Sequence, residues 1–382
     1  MRKPDMGKCN RICTNVSCRM KDQRITVYTG PGSSNSWVWL ADFLEKYDIL
    51  NVHFSPHPED FLKSSERAIA IIPGGDTFAM AESFGAEGLR RVERLIAGGT
   101  TYIGICAGAY LPLRSSIHPL SAFNLVNLRI SNISSSLPAT IKEAERYSVR
   151  YGCGYVFHPV RGPVRMTGDT DVVAPLYGGP IVRRDQGTER IRLLFDQLTE
   201  ESEILVGREL CERIMIGNAA CVETPYEEGR LLLVSPHLEH PDYPTANKYF
   251  AALICGYSSC HAPHESECES VNDGAELRGI IADLRVAASG LEDRSWKIGI
   301  KYWESEKLLF FIESVRRRLE ELRKNSIDFA PPIESLESFK AALKGLKNME
   351  NDEEGIEKVL NALSKGASSF LNAYFSFKMS FN

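Results

Sequence analysis

Between Thr101 and Tyr110 the chain reads Thr-Tyr-Ile-Gly-Ile-Cys-Ala-Gly-Ala-Tyr, an apolar run that stops at a cysteine framed by Gly104 and Gly108. This pattern fits a strand, a sharp turn and the first turn of a helix, with sulfur in place of the hydroxyl of a Gly-x-Ser-x-Gly elbow. Such a turn needs small neighbours and lifts the nucleophile off the end of a strand, so it presupposes a sheet with helices packed on it. A thiol there gains from the positive end of the following helix, and the next amide N–H points to where an oxyanion forms. A small buried residue is the plain reading of any cysteine. The two glycines at this spacing favour Cys106 as a candidate nucleophile.

The chain leading up to the elbow alternates strands and helices. Arg24 to Tyr28 is a short strand that runs through Thr29-Gly30-Pro31-Gly32-Ser33-Ser34-Asn35-Ser36 into an amphipathic helix from Trp37 to about Tyr47. That loop lacks the third glycine of a dinucleotide fingerprint and reads as a strand-to-helix loop bordering the cleft. Further strands are expected at Asn51 to Phe54 and Ala68 to Ile72, the latter ending in Pro73-Gly74-Gly75-Asp76. Glycines at the carboxyl end of a central strand let backbone amides approach a ligand, which makes Gly74, Gly75 and Asp76 candidate binding residues. A helix over Glu87 to Ala97 then leads to the cysteine strand, and this alternation implies parallel pairing.

From about 113 to 190 the pattern loosens into an insertion expected to shape the pocket. Glu203 to Val206, Arg213 to Ile216 and Arg230 to Val234 read as strands, and the last ends in Ser235-Pro236-His237-Leu238-Glu239-His240. On extended backbone His237 and Glu239 share a face. A histidine oriented by a carboxylate is the base that a cysteine nucleophile requires, with His240 a weaker second candidate.

These residues resemble the class I glutamine-amidotransferase-like superfamily, closest to the domain at the N-terminus of some biotin-protein ligases. The resemblance covers roughly 24 to 257. It rests on Tyr28-x-Gly30-Pro31-Gly32, Pro73 to Asp76, Gly104 to Tyr110, Tyr177-Gly178-Gly179-Pro180 and Ser235 to Glu239. It implies a flavodoxin-like, mostly parallel α/β sheet with helices on both faces, and a triad of Cys106, His237 and Glu239. It also implies an oxyanion hole from backbone amides near Gly75 and at Ala107. The implied activity is cysteine-dependent hydrolysis or amidotransfer on an amide of a small molecule through a thioester, without a cofactor. Where glutamine-using members carry glutamine four residues after the nucleophile, this chain has Tyr110, so another amide or an ester is expected to bind. No ammonia-accepting synthetase and no Gly-Arg-Gly-Arg biotin loop is present in the sequence, so any synthetase would be a separate protein partner, and biotin ligation is not expected. The competing reading is a catalytically silent binding or regulatory module on the same scaffold.

The remaining residues set the organisation. A chain of 382 residues with 43% hydrophobic content suffices for two domains. Residues 1–23 read as a disordered extension, 24–257 as the α/β domain, 258–273 as a linker and 274–382 as an all-α helical bundle. In the last, Leu277, Ile280, Ile281, Leu284 and Val286 form one stripe and Trp296 to Leu322 a second, with Arg316 to Arg318 on a solvated face and an aromatic tail from Phe370 to Phe381. Cys255, Cys260, His261, His264 and Cys268 have zinc-compatible chemistry but no standard spacing, and remain weak metal candidates. A net charge of −5 argues against general nucleic-acid binding. No apolar run has the length of a membrane span, and ten cysteines over this length suit reduced thiols in the cytoplasm.

Overall fold

A computed structural model of the chain describes residues 24–65, 67–131, 160–184, 189–204, 207–257, 274–291, 294–299, 301–348 and 353–381. The expected extension over 1–23, the linker over 258–273 and the middle of the 113–190 insertion lie outside the described residues.

The N-terminal third alternates as its periodicity requires: β1 (Ile25–Tyr28), α1 (Ser36–Lys46), β2 (Val52–Ser55), α2 (Pro58–Ser64), β3 (Ile69–Ile72), α3 (Thr77–Ala97) and β4 (Thr101–Ile105). β1, β3 and β4 are buried along their whole length, which is why they carry continuous rather than alternating apolar residues. With β10 (Gly229–Val234) they form a parallel array in the order β2-β1-β3-β4-β10. The single turn α4 (Ala107–Tyr110) follows β4.

Beyond β10 the sheet turns antiparallel, through β9 (Ala219–Tyr226), β7 (Arg190–Leu198), β5 (Val160–Gly168) and β6 (Val172–Leu176), with the short β8 (Glu203–Ile204) on β5. The expectation of a mostly parallel sheet therefore holds for one half only. The pairs β5–β6 and β9–β10 fold back through tight turns, and such returns pair antiparallel. The run Arg213 to Ile216 is not a strand. It falls at the end of α5 (Arg208–Met215), whose Cys211, Ile214 and Met215 face inward at helical spacing.

The sheet separates two apolar cores. On one face Tyr28, Ile72, Tyr102 and Leu233 meet α2 and α3. On the other, Val27, Ile71, Ile105 and Val234 meet α1 and α6 (Pro244–Gly256), and the same cluster runs on into the C-terminal helices. These are α7 (Gly274–Ser289), α8 (Glu306–Lys324), α9 (Ile333–Lys347) and α10 (Glu353–Phe381). Leu277, Ile281 and Leu284 of α7 are buried as the stripe requires, but Val286 is exposed.

The C-terminal region is not all-α. Between α7 and α8 it carries a hairpin of β11 (Ser295–Ile298) and β12 (Lys301–Glu304), where one long helix had been expected from Trp296 onward. Aromatic and β-branched residues bracket Gly299, whose φ of 60° suits a turn and not a helix interior. The arginine cluster is only partly solvated. Arg317 is exposed, whereas Arg318 is 3% exposed and reaches Asp42 and Glu45 on α1. Phe370, Tyr374 and Phe375 of the aromatic tail are buried.

Candidate active site

The elbow forms where β4 ends. Cys106 sits at φ 51°, ψ −105°, a left-handed conformation rarely adopted by a residue with a side chain. Its amide donates to the Val234 carbonyl of β10 at 2.8 Å, and Gly108 donates to the Pro73 carbonyl at 3.1 Å. The glycines are there for space. A Cβ on Gly104 would strike the Gly108 carbonyl, and one on Gly108 would strike the Ile72 carbonyl of β3. The Tyr102 hydroxyl donates to the Gly108 carbonyl at 2.6 Å and ties the turn to its own strand. Because α4 is a single turn, the macrodipole expected to act on the thiol is small.

His237 arrives from the end of β10, next to β4. Its amide donates to the Pro175 carbonyl at 2.9 Å, and the Ser235 hydroxyl donates to the Pro180 carbonyl, so the Tyr177 to Pro180 loop braces the segment that carries the ring. Gly179 passes too close to the Ser235 carbonyl to accommodate a Cβ. His237 Nδ1 and Glu239 Oε1 are 2.7 Å apart, with the two residues 3% and 1% exposed. The imidazole also hydrogen-bonds the Cys106 side chain. Burial alone would strip the proton from His237, but the Glu239 carboxylate and the Cys106 sulfur outweigh it and push the histidine up to about 10. The buried ring thus stands between Glu239 and Cys106, and both neighbours favour its protonated form.

In front of the sulfur lies a cavity of about 230 Å³, lined by Cys106, His237, Gly74, Gly75, Ser34, Asn35, Ser36, Trp39, Tyr177, His240, Glu306, Lys307 and Phe310. The loop before α1 borders it as expected. Ser34 accomplishes this by pairing with the Pro73 to Asp76 loop, its amide donating to the Gly74 carbonyl at 2.9 Å. Neither Gly75 nor Ala107 donates its amide N–H to a backbone carbonyl among the described residues.

Two expected binding residues stand elsewhere. Asp76 caps α3, its Oδ1 accepting from the amides of Phe78 and Ala79 at 2.9 and 3.2 Å, and it does not line the cavity. A short acidic side chain directly before a helix is drawn to the first-turn amides. Tyr110 packs against the core on the α3 face, because α4 turns it away from the cavity mouth. His240 does line the cavity. Its Nδ1 accepts from the Asp242 amide at 3.3 Å, which places the proton of the neutral ring on Nε2. Burial first, and then the charge of His237, hold His240 below the ordinary histidine value, so it is the neutral member of the pair.

Sequence reasoning missed Trp39, Glu306, Lys307 and Phe310. Trp39 carried a usable signal, since it follows Trp37 by two on a helix and so faces a different side. The other three belong to the first turns of α8, some two hundred residues beyond the elbow, and nothing local marks them. Of the metal candidates, Cys255 is half-buried at the end of α6 and Cys260, His261, His264 and Cys268 lie outside the described residues. Among the described residues no cluster of three or more His, Cys, Asp or Glu could hold a metal ion. None of Cys106, Cys211, Cys221 and Cys255 is in a disulfide, and no helix among the described residues is long and apolar enough to cross a membrane.

A family model described as "Biotin-protein ligase, N terminal" matches residues 23–116, from β1 through the elbow. No curated protein matches the chain. Among solved structures, the exo-β-1,4-mannosidase Op5Man5 from Opitutaceae bacterium strain TAV5 aligns at 12% identity and a TM-score of 0.34, over 62% of this chain and 36% of that one. A β-galactosidase from Bacillus circulans sp. alkalophilus aligns at 12% identity and a TM-score of 0.31, over 65% of this chain and 32% of that one. The chain spans about a third of the length of either, and similarity at these scores bears on neither its fold family nor its chemistry.

Proposed function

We propose that the chain is a cysteine-dependent amide hydrolase of the glutamine-amidotransferase-like kind, with Cys106 as nucleophile, His237 as proton carrier and Glu239 as the group that orients the ring. The observation that carries this reading is the buried His237 ring, held by Glu239 on one side and hydrogen-bonded to Cys106 on the other, at the wall of a cavity. The parallel order β2-β1-β3-β4-β10, with the nucleophile at the carboxyl end of a central strand, supports a flavodoxin-like catalytic unit over 24–257, closed by 274–382. The match over 23–116 supports its biotin-ligase-N-terminal subtype. A reducing, cytoplasmic setting fits a thiolate nucleophile.

In this scheme Cys106 attacks the amide carbon and the oxyanion develops toward the N–H groups of Gly75 and Ala107. His237 protonates the departing nitrogen, then accepts a proton from the water that hydrolyses the thioester. The test is selective alkylation. Iodoacetamide at neutral pH should modify Cys106 ahead of the buried Cys211 and Cys221, and His237→Asn should slow that modification about tenfold or more, because an unassisted thiol is only a few per cent thiolate there. Equal rates in the two proteins would remove the triad.

A further inference from the structure

The cavity in front of Cys106 is more aromatic than a site for glutamine requires. Beside its polar lining from the loop before α1 and from the start of α8, it carries Trp39, Tyr177 and Phe310, with His240 next to them. The Trp39 ring lies 6.1 Å from Tyr177, 5.6 Å from Phe310 in an edge-to-face arrangement, and 5.4 Å from His237, also edge to face. The rings therefore form a continuous wall that ends at the catalytic imidazole.

Several polar groups of the cavity already have partners. The Ser34 hydroxyl donates to the Gly74 carbonyl at 3.1 Å and stands 3.1 Å from the Ser36 hydroxyl. Lys307 is held by Glu304 at 2.6 Å, and Glu306 is exposed in the first turn of α8 at the rim. Among the described residues no arginine lines the cavity. A zwitterionic amino-acid amide would leave its carboxylate without a bidentate partner, and burying it so is unfavourable. Size gives a second limit. An apolar cavity of about 150 Å³ holds one benzene ring, so 230 Å³ has room for one such ring together with a carboxamide.

We infer that the site takes a compact aromatic carboxamide, its ring against Trp39, Tyr177 and Phe310 and its carbonyl carbon over the Cys106 sulfur. This rests on the hydrolase reading above and names its substrate class. Cys106 Sγ forms a bond to the carbonyl carbon, the C–N bond breaks, and ammonia leaves with a proton from His237. Water then cleaves the thioester, releasing the aromatic carboxylic acid and returning the sulfur to its thiolate, so the net reaction consumes one amide and one water. Phe310 belongs to the C-terminal region and is 37% exposed at the rim, where it contributes selectivity without contacting the reacting atoms.

Binding and turnover are tested separately with benzamide, acetamide and glutamine. In the Cys106→Ala protein, calorimetric titration should show benzamide binding at least about tenfold more tightly than either of the others, the scale of an aromatic contact with its area. Phe310→Leu, which keeps apolar bulk and removes the ring, should erase most of that preference, and Phe310→Tyr should restore it. Equal affinities for the three ligands, or a preference for benzamide unchanged by Phe310→Leu, would overturn the assignment. In the unmodified chain, ammonia release from benzamide and a benzoyl adduct on Cys106 support both the pocket and the chemistry. Preferential hydrolysis of glutamine would overturn the pocket assignment and leave the hydrolase reading standing. Selective binding of benzamide without cleavage would support the pocket and count against hydrolysis.

Discussion

His237 concentrates the chemistry of the site in one ring. Its proton is opposed by burial and retained by its neighbours Glu239 and Cys106, and the balance lies well above the ordinary histidine value, at about 10. A histidine whose folded value is raised adds stability that is whole below about 6.5, where the unfolded ring is also charged, and that is lost as the pH climbs toward its folded value. Stability should therefore decline on the alkaline side, and amide turnover should fall with it as the leaving nitrogen loses its proton donor. Glu239→Gln removes the carboxyl neighbour that helps to hold the proton. We expect the His237 imidazole resonance, followed by NMR against pH, to titrate in the alkaline range in the unaltered protein and at least about one unit lower in the variant. A titration near 6.5 in both would mean that Glu239 does no electrostatic work on the ring. His240, depressed by burial and by the neighbouring charge, serves as an internal reference that should titrate below the ordinary value in the same spectra.

The elbow shows how an element can be read from its sequence when its constraints are local. Gly104 and Gly108 stand where a side chain would enter backbone, and Cys106 carries the positive φ that the turn imposes. Gly108→Ala should destabilise the fold by about 2 to 3 kcal/mol, the range for forcing extra atoms into a packed site, because the Ile72 carbonyl it meets belongs to a central strand and cannot retreat. Gly279→Ala on α7, where open space surrounds the position, should instead stabilise by up to about 1 kcal/mol through helix propensity. Denaturant midpoints for the two proteins should move in opposite directions. The same locality made the strands from β1 to β4 legible, along with the pairing of His237 with Glu239. It failed for Arg213 to Ile216, where four apolar-rich residues fit either period and only the inward stripe from Cys211 to Met215 decides for a helix. It failed again at the β11–β12 hairpin, where Trp296 and Trp303 mimic a helical stripe until Gly299 is recognised as a turn. In the antiparallel half, the pairings of β7 with β5 and β9 were hidden because these partners are not adjacent hairpin strands.

At the scale of the whole molecule, the C-terminal helices are bound to the sheet domain by groups that no local pattern reveals. Asn372 of α10 uses its side-chain amide as a strand would, accepting from the Phe54 amide at 2.7 Å and donating to the Phe54 carbonyl at 2.9 Å, and so covers the edge strand β2. Arg318 of α8 is fully engaged. Its guanidinium meets Asp42 Oδ1 at 2.9 Å, Glu45 Oε2 at 2.7 Å and the Ser314 hydroxyl at 2.6 Å, with its plane 5.5 Å from the Tyr374 ring. Glu45 is held below the usual carboxylate range: burial works against its charge, and Arg318 and Lys378 prevail. These contacts fix α8 on α1, and α8 in turn brings Lys307 and Phe310 to the cavity lined by Cys106, two hundred residues earlier. Arg318→Ala would leave two carboxylates without their buried partner and should cost about 3 kcal/mol, at the lower end for breaking a buried pair because Asp42 and Glu45 keep 21% and 17% of their side-chain exposure. Arg316→Ala, two residues earlier on the same helix, removes only the half-exposed pairs with Glu313 and Glu320 and should cost no more than about 0.5 kcal/mol. If α8 holds the cavity wall through Arg318, the first substitution alone should also weaken benzamide binding to the Cys106→Ala protein under conditions where the chain remains folded. Equal destabilisation by the two substitutions, or undiminished ligand binding after the first, would show that the helix is positioned by its apolar face and that the buried charges are incidental to the site.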